Sequence, residues 1–345
     1  MENLKGKKVF VGLSGGVDSA VTAALLKQAG AQVVGVFIRG WYPPDMPCTW
    51  SEDRRDAMRA AAKLGIPFYT LDASKEYKEG VIDYLLAEYA VGRTPNPDIM
   101  CNREVKFGAF YRFAMEHQAD FIATGHYAQN VGGRILRGVD SAKDQSYFLW
   151  AVPKEALLRT LFPVGSLEKS KTRALASEFD VPQAAKKDSQ GICFLGSISV
   201  DDFLRSEIGS SEGVAIDING KEVGRHEGAV LATLGERVSL KDALPGPWYV
   251  IAKQMKDNIL VVSHEHTAGA SSSSLNLTQT NWLTTEYFGK QVEMQYRYHG
   301  PVIAGTLSKD GTSFTPETTL PEPIAPGQSL VCYQEDELLG GGIIV

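Results

Sequence analysis

Apolar residues in the first half of the chain alternate between two periods. Lys8–Leu13 is a β-type run ending in Gly-rich sequence, and Ser19–Gln28 reads as a helix closed by Gly30. Gln32–Ile38 is a second β-branched run. Ser51–Leu64 follows with helical spacing and with Glu52 and Asp53 in its first turn, where the helix dipole favours anions. Phe68–Leu71 predicts a third strand, Lys75–Tyr89 and Glu104–Glu116 two further helices, and Phe121–Thr124 a fourth strand. Strands alternating with helices predict a mostly parallel sheet covered on both faces, of α/β Rossmann-like type. Ligands on such sheets bind at the carboxyl ends of the strands.

After about Gly196 the pattern changes. Val214–Ile218, Val230–Thr233, Tyr249–Ala252 and Ile259–Val262 read as short strands between turns such as Asn219-Gly220 and Pro245-Gly246-Pro247. Ala270–Ser274 reads as a linker or loop tip. Val292–Tyr298, Val302–Leu307 and Ser329–Tyr333 are again β-like. The expected organisation is a domain over residues 1–197, a small β-rich central domain over 198–268, and a C-terminal β-barrel over 269–345.

Composition is that of a globular chain: 345 residues, 43% hydrophobic and 22% charged, which excludes a mainly disordered protein. No run of 18 apolar residues occurs, and the opening MENLKGKKVFVGLSGG lacks a secretory apolar segment, so a cytoplasmic protein with no membrane partner is expected. The net charge of -6 is unevenly spread. Residues 1–197 carry 25 Lys and Arg against 22 Asp and Glu, whereas residues 198–345 carry 10 against 19. A phosphate-rich partner should therefore dock mainly on the first half. The four cysteines, Cys48, Cys101, Cys193 and Cys332, form no CxxC pair, which excludes a zinc knuckle or disulfide scaffold.

Ser14-Gly15-Gly16-Val17-Asp18-Ser19 stands between the first strand and the first helix. Glycines let the backbone approach a phosphate and present N–H groups, the hydroxyls add donors, and the helix start adds its positive dipole end. No Lys follows at the spacing of a Walker loop. Asp18 in an anion site calls for a divalent ion such as Mg²⁺ to join it to phosphates. Further on, Thr94-Pro95-Asn96-Pro97-Asp98-Ile99-Met100-Cys101-Asn102 reads as an extended entry into a helix, with Asp98 at the N-cap. Asp98 and Cys101 would share one face of its first turn, where the dipole, Arg103 and Lys106 favour thiolate. A capping Asp beside a small buried Cys fits the same residues equally well. Cys193, in Asp188-Ser189-Gln190-Gly191-Ile192-Cys193-Phe194-Leu195-Gly196, could be exposed by a tight turn or be a buried structural residue. Cys48 and Cys332 read as structural. Lys169, Lys171, Arg173, Lys186 and Lys187 could hold phosphates, or form a solvated helix face.

The SGGVDS loop resembles the signature of the PP-loop ATP pyrophosphatases. With the NPDIMCN segment, Thr124-Gly125-His126-Tyr127-Ala128, Lys143-Asp144-Gln145-Ser146-Tyr147-Phe148-Leu149 and DSQGICFLG in this order, the chain resembles the bacterial tRNA-specific 2-thiouridylases over essentially its whole length. Arg225-His226-Glu227-Gly228 and Thr233-Leu234-Gly235-Glu236-Arg237 resemble that family's middle-domain pattern. The resemblance implies that the 2-oxygen of a wobble uridine is adenylylated by ATP and replaced by sulfur. Cys193 would accept a persulfide from a sulfur-carrier protein, Cys101 would release the sulfur and form a disulfide with Cys193, and Asp98 would act as general acid/base. It implies ATP contacts from Gly12, Leu13, Ser14, Gly15, Gly16, Val17, Asp18 and Ser19, with Ile38 and Gly125. It implies contacts to a tRNA anticodon stem-loop from Asn96, Pro97, Asp98, Lys143, Asp144, Gln145, Arg297 and Tyr298. His126 reads as a packing or hydrogen-bonding residue. Three alternatives stay open: a PP-loop synthetase with an amine nucleophile, a nucleotide-binding regulatory module, and an iron–sulfur cluster on Asp98, Cys101 and Cys193.

Overall fold

The computed structural model describes residues 4–43, 50–187, 199–266 and 273–345. Contacts divide the chain into two compact units. The first comprises Met1–Val81, Pro97–Gly196 and Tyr333–Gly340, and the second Ile82–Asn96, Ser197–Cys332 and Gly341–Val345.

In the first unit, β1 (Lys8–Gly12) leads into α1 (Val17–Gln28), and β2 (Gln32–Arg39) into α2 (Trp50–Leu64) and β3 (Phe68–Asp72). β4 (Phe121–Ala123) is followed by a hairpin, β5 (Ala128–Val131) and β6 (Arg134–Arg137), and then by β7 (Thr160–Leu161). The sheet order is β3-β2-β1-β4-β7, and the pairings along it are parallel. The β-branched runs are strands because both faces are covered: Val9, Val11, Val33 and Phe37 join Leu13, Leu26, Ala57 and Ala61 in one core. Full burial of Leu26 contributes roughly 1.5–3 kcal/mol. α1 is buried nearly all round, because the helix Lys169–Glu178 also packs on it: Val17, Ala20 and Val21 meet Tyr127, Val164 and Ala176. α2, by contrast, buries only Ala57, Ala60 and Ala61.

The helix expected from Glu104 begins earlier. It starts as α-helix at Pro97–Met100, widens into a π-helical stretch at Cys101–Ala109, and closes as Phe110–Glu116. Asp98 is thus its second residue and not the N-cap expected from sequence. Wide turns inside helices recur at functional sites.

The chain after residue 199 holds two β structures. β8 (Gly213–Ile216), β9 (Glu222–His226), β10 (Arg237–Val238), β11 (Trp248–Gln254) and β12 (Ile259–Ser263) form a sheet in the order β10-β11-β12-β8-β9. Its core gathers Ala215, Val223, Trp248, Val250, Leu260 and Val262. Val230–Thr233, expected as a strand, is instead a 3₁₀ turn at Ala229–Leu231 after Gly228. A short apolar run has no period of its own, so packing decided it. β13 (Leu275–Trp282), β14 (Gln291–Gln295), β15 (Ile303–Leu307), β16 (Ser313–Pro316), β17 (Ser329–Gln334) and β18 (Glu337–Ile344) run β13-β16-β15-β14-β17-β18, and β18 pairs back to β13. Six strands therefore close into a barrel. The expected linker at Ala270–Ser274 lies mostly outside the described residues.

Candidate functional site

The Gly-rich loop stands where β1 meets α1, with β2 and β4 on either side of β1. The strand order therefore places Ile38, near the end of β2, and Gly125, just after β4, at strand ends flanking the loop. Hydroxyls fix the loop's shape: Ser14 N–H donates to Ser19 Oγ at 3.2 Å, Gly16 N–H to Ser14 Oγ at 3.3 Å, and Ser19 Oγ–H to Gly16 O at 3.1 Å. Gly15 has φ +78, and a Cβ there would lie 2.4 Å from the Asp53 carbonyl. Only glycine satisfies both conditions. A Cβ on Gly125 would lie 2.8 Å from Ser19 N, so the chain after β4 packs directly on the start of α1. Leu13 and Val17 are buried and anchor the loop's ends.

Two lysines hold this loop. Lys169 Nζ donates to both carboxylate oxygens of Asp18 at 2.7 and 2.8 Å, and the Tyr127 hydroxyl donates to Asp18 Oδ1 at 2.9 Å. Lys186 Nζ donates to Gly15 O at 3.2 Å and to Asp53 and Asp56 at 2.9 Å each. Burial alone would lower the Lys186 pKa, but hydrogen bonds to the two aspartates outweigh it and hold the pKa above the usual lysine value. Of the remaining basic stretch, Arg173 caps the carbonyls of Ala184 and Lys186, while Lys171 is exposed.

A path of hydrogen bonds leads from the loop to the cysteine helix. Tyr127, bonded to Asp18, exchanges backbone and side-chain hydrogen bonds with Gln145: Tyr127 N–H donates to Gln145 Oε1 at 3.0 Å, and Gln145 N–H to Tyr127 O at 2.8 Å. Phe148 N–H donates to Gln145 O at 3.1 Å, and Phe148 O accepts from Asn102 Nδ2 at 3.0 Å. Asn102 adjoins Cys101. The same helix docks on the strand ends through Phe107, 5.7 Å ring to ring from His126, and Phe110, whose ring a Cβ on Gly12 would meet at 3.6 Å.

Cys101 is buried and Asp98 half-buried, one turn apart at the helix start. Burial raises the Asp98 pKa, and Lys106 opposes the rise. Desolvation of this kind favours a carboxyl able to hold a proton. His126 is fully enclosed between Phe107 and Phe162, with Thr124 Oγ1 2.7 Å from Nδ1. Its pKa falls well below the usual value because of burial and then Lys106, so it stays neutral, in keeping with a packing and hydrogen-bonding role. Cys332 is also buried, and burial pushes its thiol up; Cys48 and Cys193 lie outside the described residues.

Among the expected RNA contacts, Asp144 is buried and fully engaged. Its carboxylate accepts from Gly138 N–H at 2.9 Å, Ser146 N–H at 3.1 Å, Ser146 Oγ at 3.0 Å and Arg137 Nη1 at 3.3 Å. Asp144 and Gln145 thus build the turn on which half-buried Lys143 stands. Pro97 begins the Cys101 helix. Asn96, Arg297 and Tyr298 belong to the second unit. There Arg297 pairs with buried Glu322 at 3.0 Å, which also accepts the Tyr296 hydroxyl at 2.7 Å, and Tyr298 stacks on His299 at 3.9 Å. Sequence reasoning missed Tyr127 and Asn102, and read Lys169 as at least as fit for a solvated face. The acid inside an anion loop was the available signal that a cation must stand near.

Three family profiles match in succession: a tRNA methyl transferase HUP domain over residues 7–197, a tRNA methyl transferase PRC-barrel domain over 201–264, and an aminomethyltransferase beta-barrel domain over 272–344. The tRNA-specific 2-thiouridylase MnmA of Proteus mirabilis is 42% identical over 366 residues, covering 100% of this chain and 98% of its own. The chain belongs to the tRNA-specific 2-thiouridylase family. The Escherichia coli O1:K1 relative is 44% identical, covering 98% of this chain and 96% of its own, and that of Shouchella clausii 39%, covering 100% and 98%. Among solved structures, the U34-tRNA thiolase NcsA from Methanococcus maripaludis aligns over 61% of this chain and 65% of its own, at 17% identity and a TM-score of 0.38, a level from which nothing about function follows. The parallel sheet, the five-stranded β10-β11-β12-β8-β9 sheet and the closed barrel fall within the three matched segments of this 2-thiouridylase. Among the described residues, no helix is long and apolar enough to cross a membrane, and no three His, Cys, Asp or Glu side chains are grouped to hold a metal ion.

Proposed function

We propose that this 2-thiouridylase replaces the 2-oxygen of the wobble uridine in tRNA with sulfur, using ATP to activate the oxygen and a cysteine persulfide to displace it. The observation that carries the reading is the hydrogen-bonded path from the phosphate loop through Tyr127 and Gln145 to Asn102, beside Cys101. It runs from the Gly-rich loop to the helix that carries Cys101 and Asp98, within one unit, and this supports the reading of the loop as a polyanion site working with a thiol and an acid.

The loop's N–H groups and the α1 dipole would hold the triphosphate, with Ile38 and Gly125 beside the nucleotide. Attack of uridine O2 on the α-phosphorus forms an O-adenylyl bond and expels pyrophosphate. Asp18 would hold Mg²⁺, since that ion characteristically takes one or two carboxylates together with substrate phosphates, and it would supply charge neutralisation there. The terminal sulfur of a persulfide on Cys193 then attacks C2, and AMP leaves with its bonding pair. The Cys101 thiolate attacks Cys193 Sγ, breaking the S–S bond to the base and releasing 2-thiouridine. The resulting Cys101–Cys193 disulfide is reset by an external dithiol, which loses two electrons. Asp98, kept protonatable by burial, would move the proton.

The partners of this reading are a tRNA anticodon stem-loop, in which an unpaired base splays out at low cost, and a sulfur-carrier protein that delivers the persulfide. Asn96, Pro97, Asp98, Lys143, Arg297 and Tyr298 would contact the RNA. The uneven charge of the two halves supports docking on the first. The iron–sulfur alternative would use the same Asp98, Cys101 and Cys193, and an anaerobically purified sample without iron absorbance would count against it. An amine-using synthetase needs no second cysteine. The deciding test is sulfur incorporation into an anticodon stem-loop RNA with ATP and a persulfide donor; full activity of Cys193→Ser would remove the proposal.

A further inference from the structure

Lys169 is a residue with no task in the chemistry above, yet it is among the least exposed lysines of its unit, its side chain only 12% accessible. It opens the helix Lys169–Glu178, where its own N–H donates to Asp140 Oδ2 at 2.9 Å, so its backbone is fixed. Its ammonium lies 5.6 Å from the centre of the Tyr127 ring and bonds both oxygens of Asp18. A desolvated ion pair contributes little net stability against an apolar pair of the same size. This one occupies the second helical position behind an anion-binding loop, where an uncompensated carboxylate would repel a polyanion.

We infer that Lys169 is a phosphate ligand of the bound nucleotide, parked on Asp18 while the loop is empty. This rests on the reading of the loop as an ATP site. When phosphates enter, the ammonium exchanges a carboxylate for a phosphate oxygen, a charge-assisted hydrogen bond in either state. Asp18 keeps the Tyr127 hydroxyl and gains freedom to take a cation. The pair thus holds the loop neutral in one state and supplies a positive charge in the other, without moving the backbone at either end.

Isothermal titration of the full chain with ATP, inorganic pyrophosphate and adenosine tests this. Lys169→Met is expected to weaken ATP and pyrophosphate roughly 10- to 100-fold, as for one lost charge-assisted hydrogen bond, and to leave adenosine unchanged. Lys169→Arg should retain most of the phosphate affinity, and its folding is checked by thermal melting. Asp18→Asn combined with Lys169→Met should remain weak for pyrophosphate. Three results would overturn the inference: wild-type ATP affinity in Lys169→Met, a parallel loss of adenosine, or recovery in the double variant, which would reduce Lys169 to a counter-charge for Asp18. Failure of the wild type to bind ATP would instead bring down the nucleotide reading itself.

Discussion

Replacing Gly125 by alanine isolates the contact between the chain after β4 and the phosphate loop. A Cβ there would lie 2.8 Å from Ser19 N, 2.9 Å from Asp18 C and 3.1 Å from Asp18 Cβ. Ordinary contact begins near 3.4 Å, so the two segments must separate by about 0.6 Å, and the obstacles are mostly backbone atoms that no rotamer change can clear. Overpacking of this kind costs about 1–3 kcal/mol. For a unit of this size that is a fall in Tm of roughly 2–4 °C per kcal/mol. The displaced atoms are the loop's own, so kcat/KM for thiolation should fall by roughly 10- to 100-fold, the effect of a misplacement approaching 1 Å. Gly12→Ala is the internal control. Its Cβ would meet Phe110 Cε1 at 3.6 Å, an ordinary contact, so stability should change by no more than about 0.5 kcal/mol. The measurements are thermal melting and sulfur incorporation on both variants. Equal melting temperatures and equal rates for Gly125→Ala and the wild type would refute the close-packing argument.

Asp144→Ala should destabilise by about 3–5 kcal/mol in denaturant titration, because it removes the buried carboxylate that the Arg137 guanidinium and the Gly138 and Ser146 amides share; a loss confined to RNA affinity would contradict this. For Asp98 the folded pKa is raised by burial, so its contribution to stability is fully present below the unfolded carboxylate pKa and is lost as pH rises through the folded value. Asp98→Asn should therefore melt higher than wild type at pH 8 and lose about 10²- to 10⁴-fold in thiolation rate; a lower melting point at pH 8 would count against the buried acid. His126 has a depressed pKa, so the unfolded chain binds the extra proton and stability should fall as pH drops below about 6.5. His126→Gln should flatten that limb of the melting curve, and an unchanged slope would show that another group titrates.

Much of the architecture was legible because both faces of the parallel sheet are covered, so Lys8–Gly12 and Gln32–Arg39 read as unbroken β-branched runs. β18 was not legible. It contains Gly340, Gly341 and Gly342, which argue against a strand, yet a Cβ on Gly341 would sit 2.4 Å from Leu330 O. Close approach inside a closed barrel is a tertiary demand that no local pattern announces. At the site, the loop glycines and the Asp98/Cys101 spacing could be read because phosphate binding and helix starts have local signatures. The pairing of Lys169 with Asp18, 151 residues away, could not, because only the fold brings them together. Asp98 was placed two positions out, since proline at the first helical turn and aspartate at the cap compete for the same signal.

The central claim, that two cysteines pass sulfur to an ATP-activated uridine, is tested most directly by mass spectrometry of an anticodon stem-loop RNA after incubation with full-length protein, ATP and a persulfide donor. Wild type should add the mass of one oxygen-to-sulfur exchange at the wobble position and release one pyrophosphate per event. Cys193→Ser should give no thiolated product, and Cys101→Ser should hold the RNA as a disulfide-linked adduct on Cys193 that a reductant frees. Thiolation at the wild-type rate by either serine variant would contradict the account.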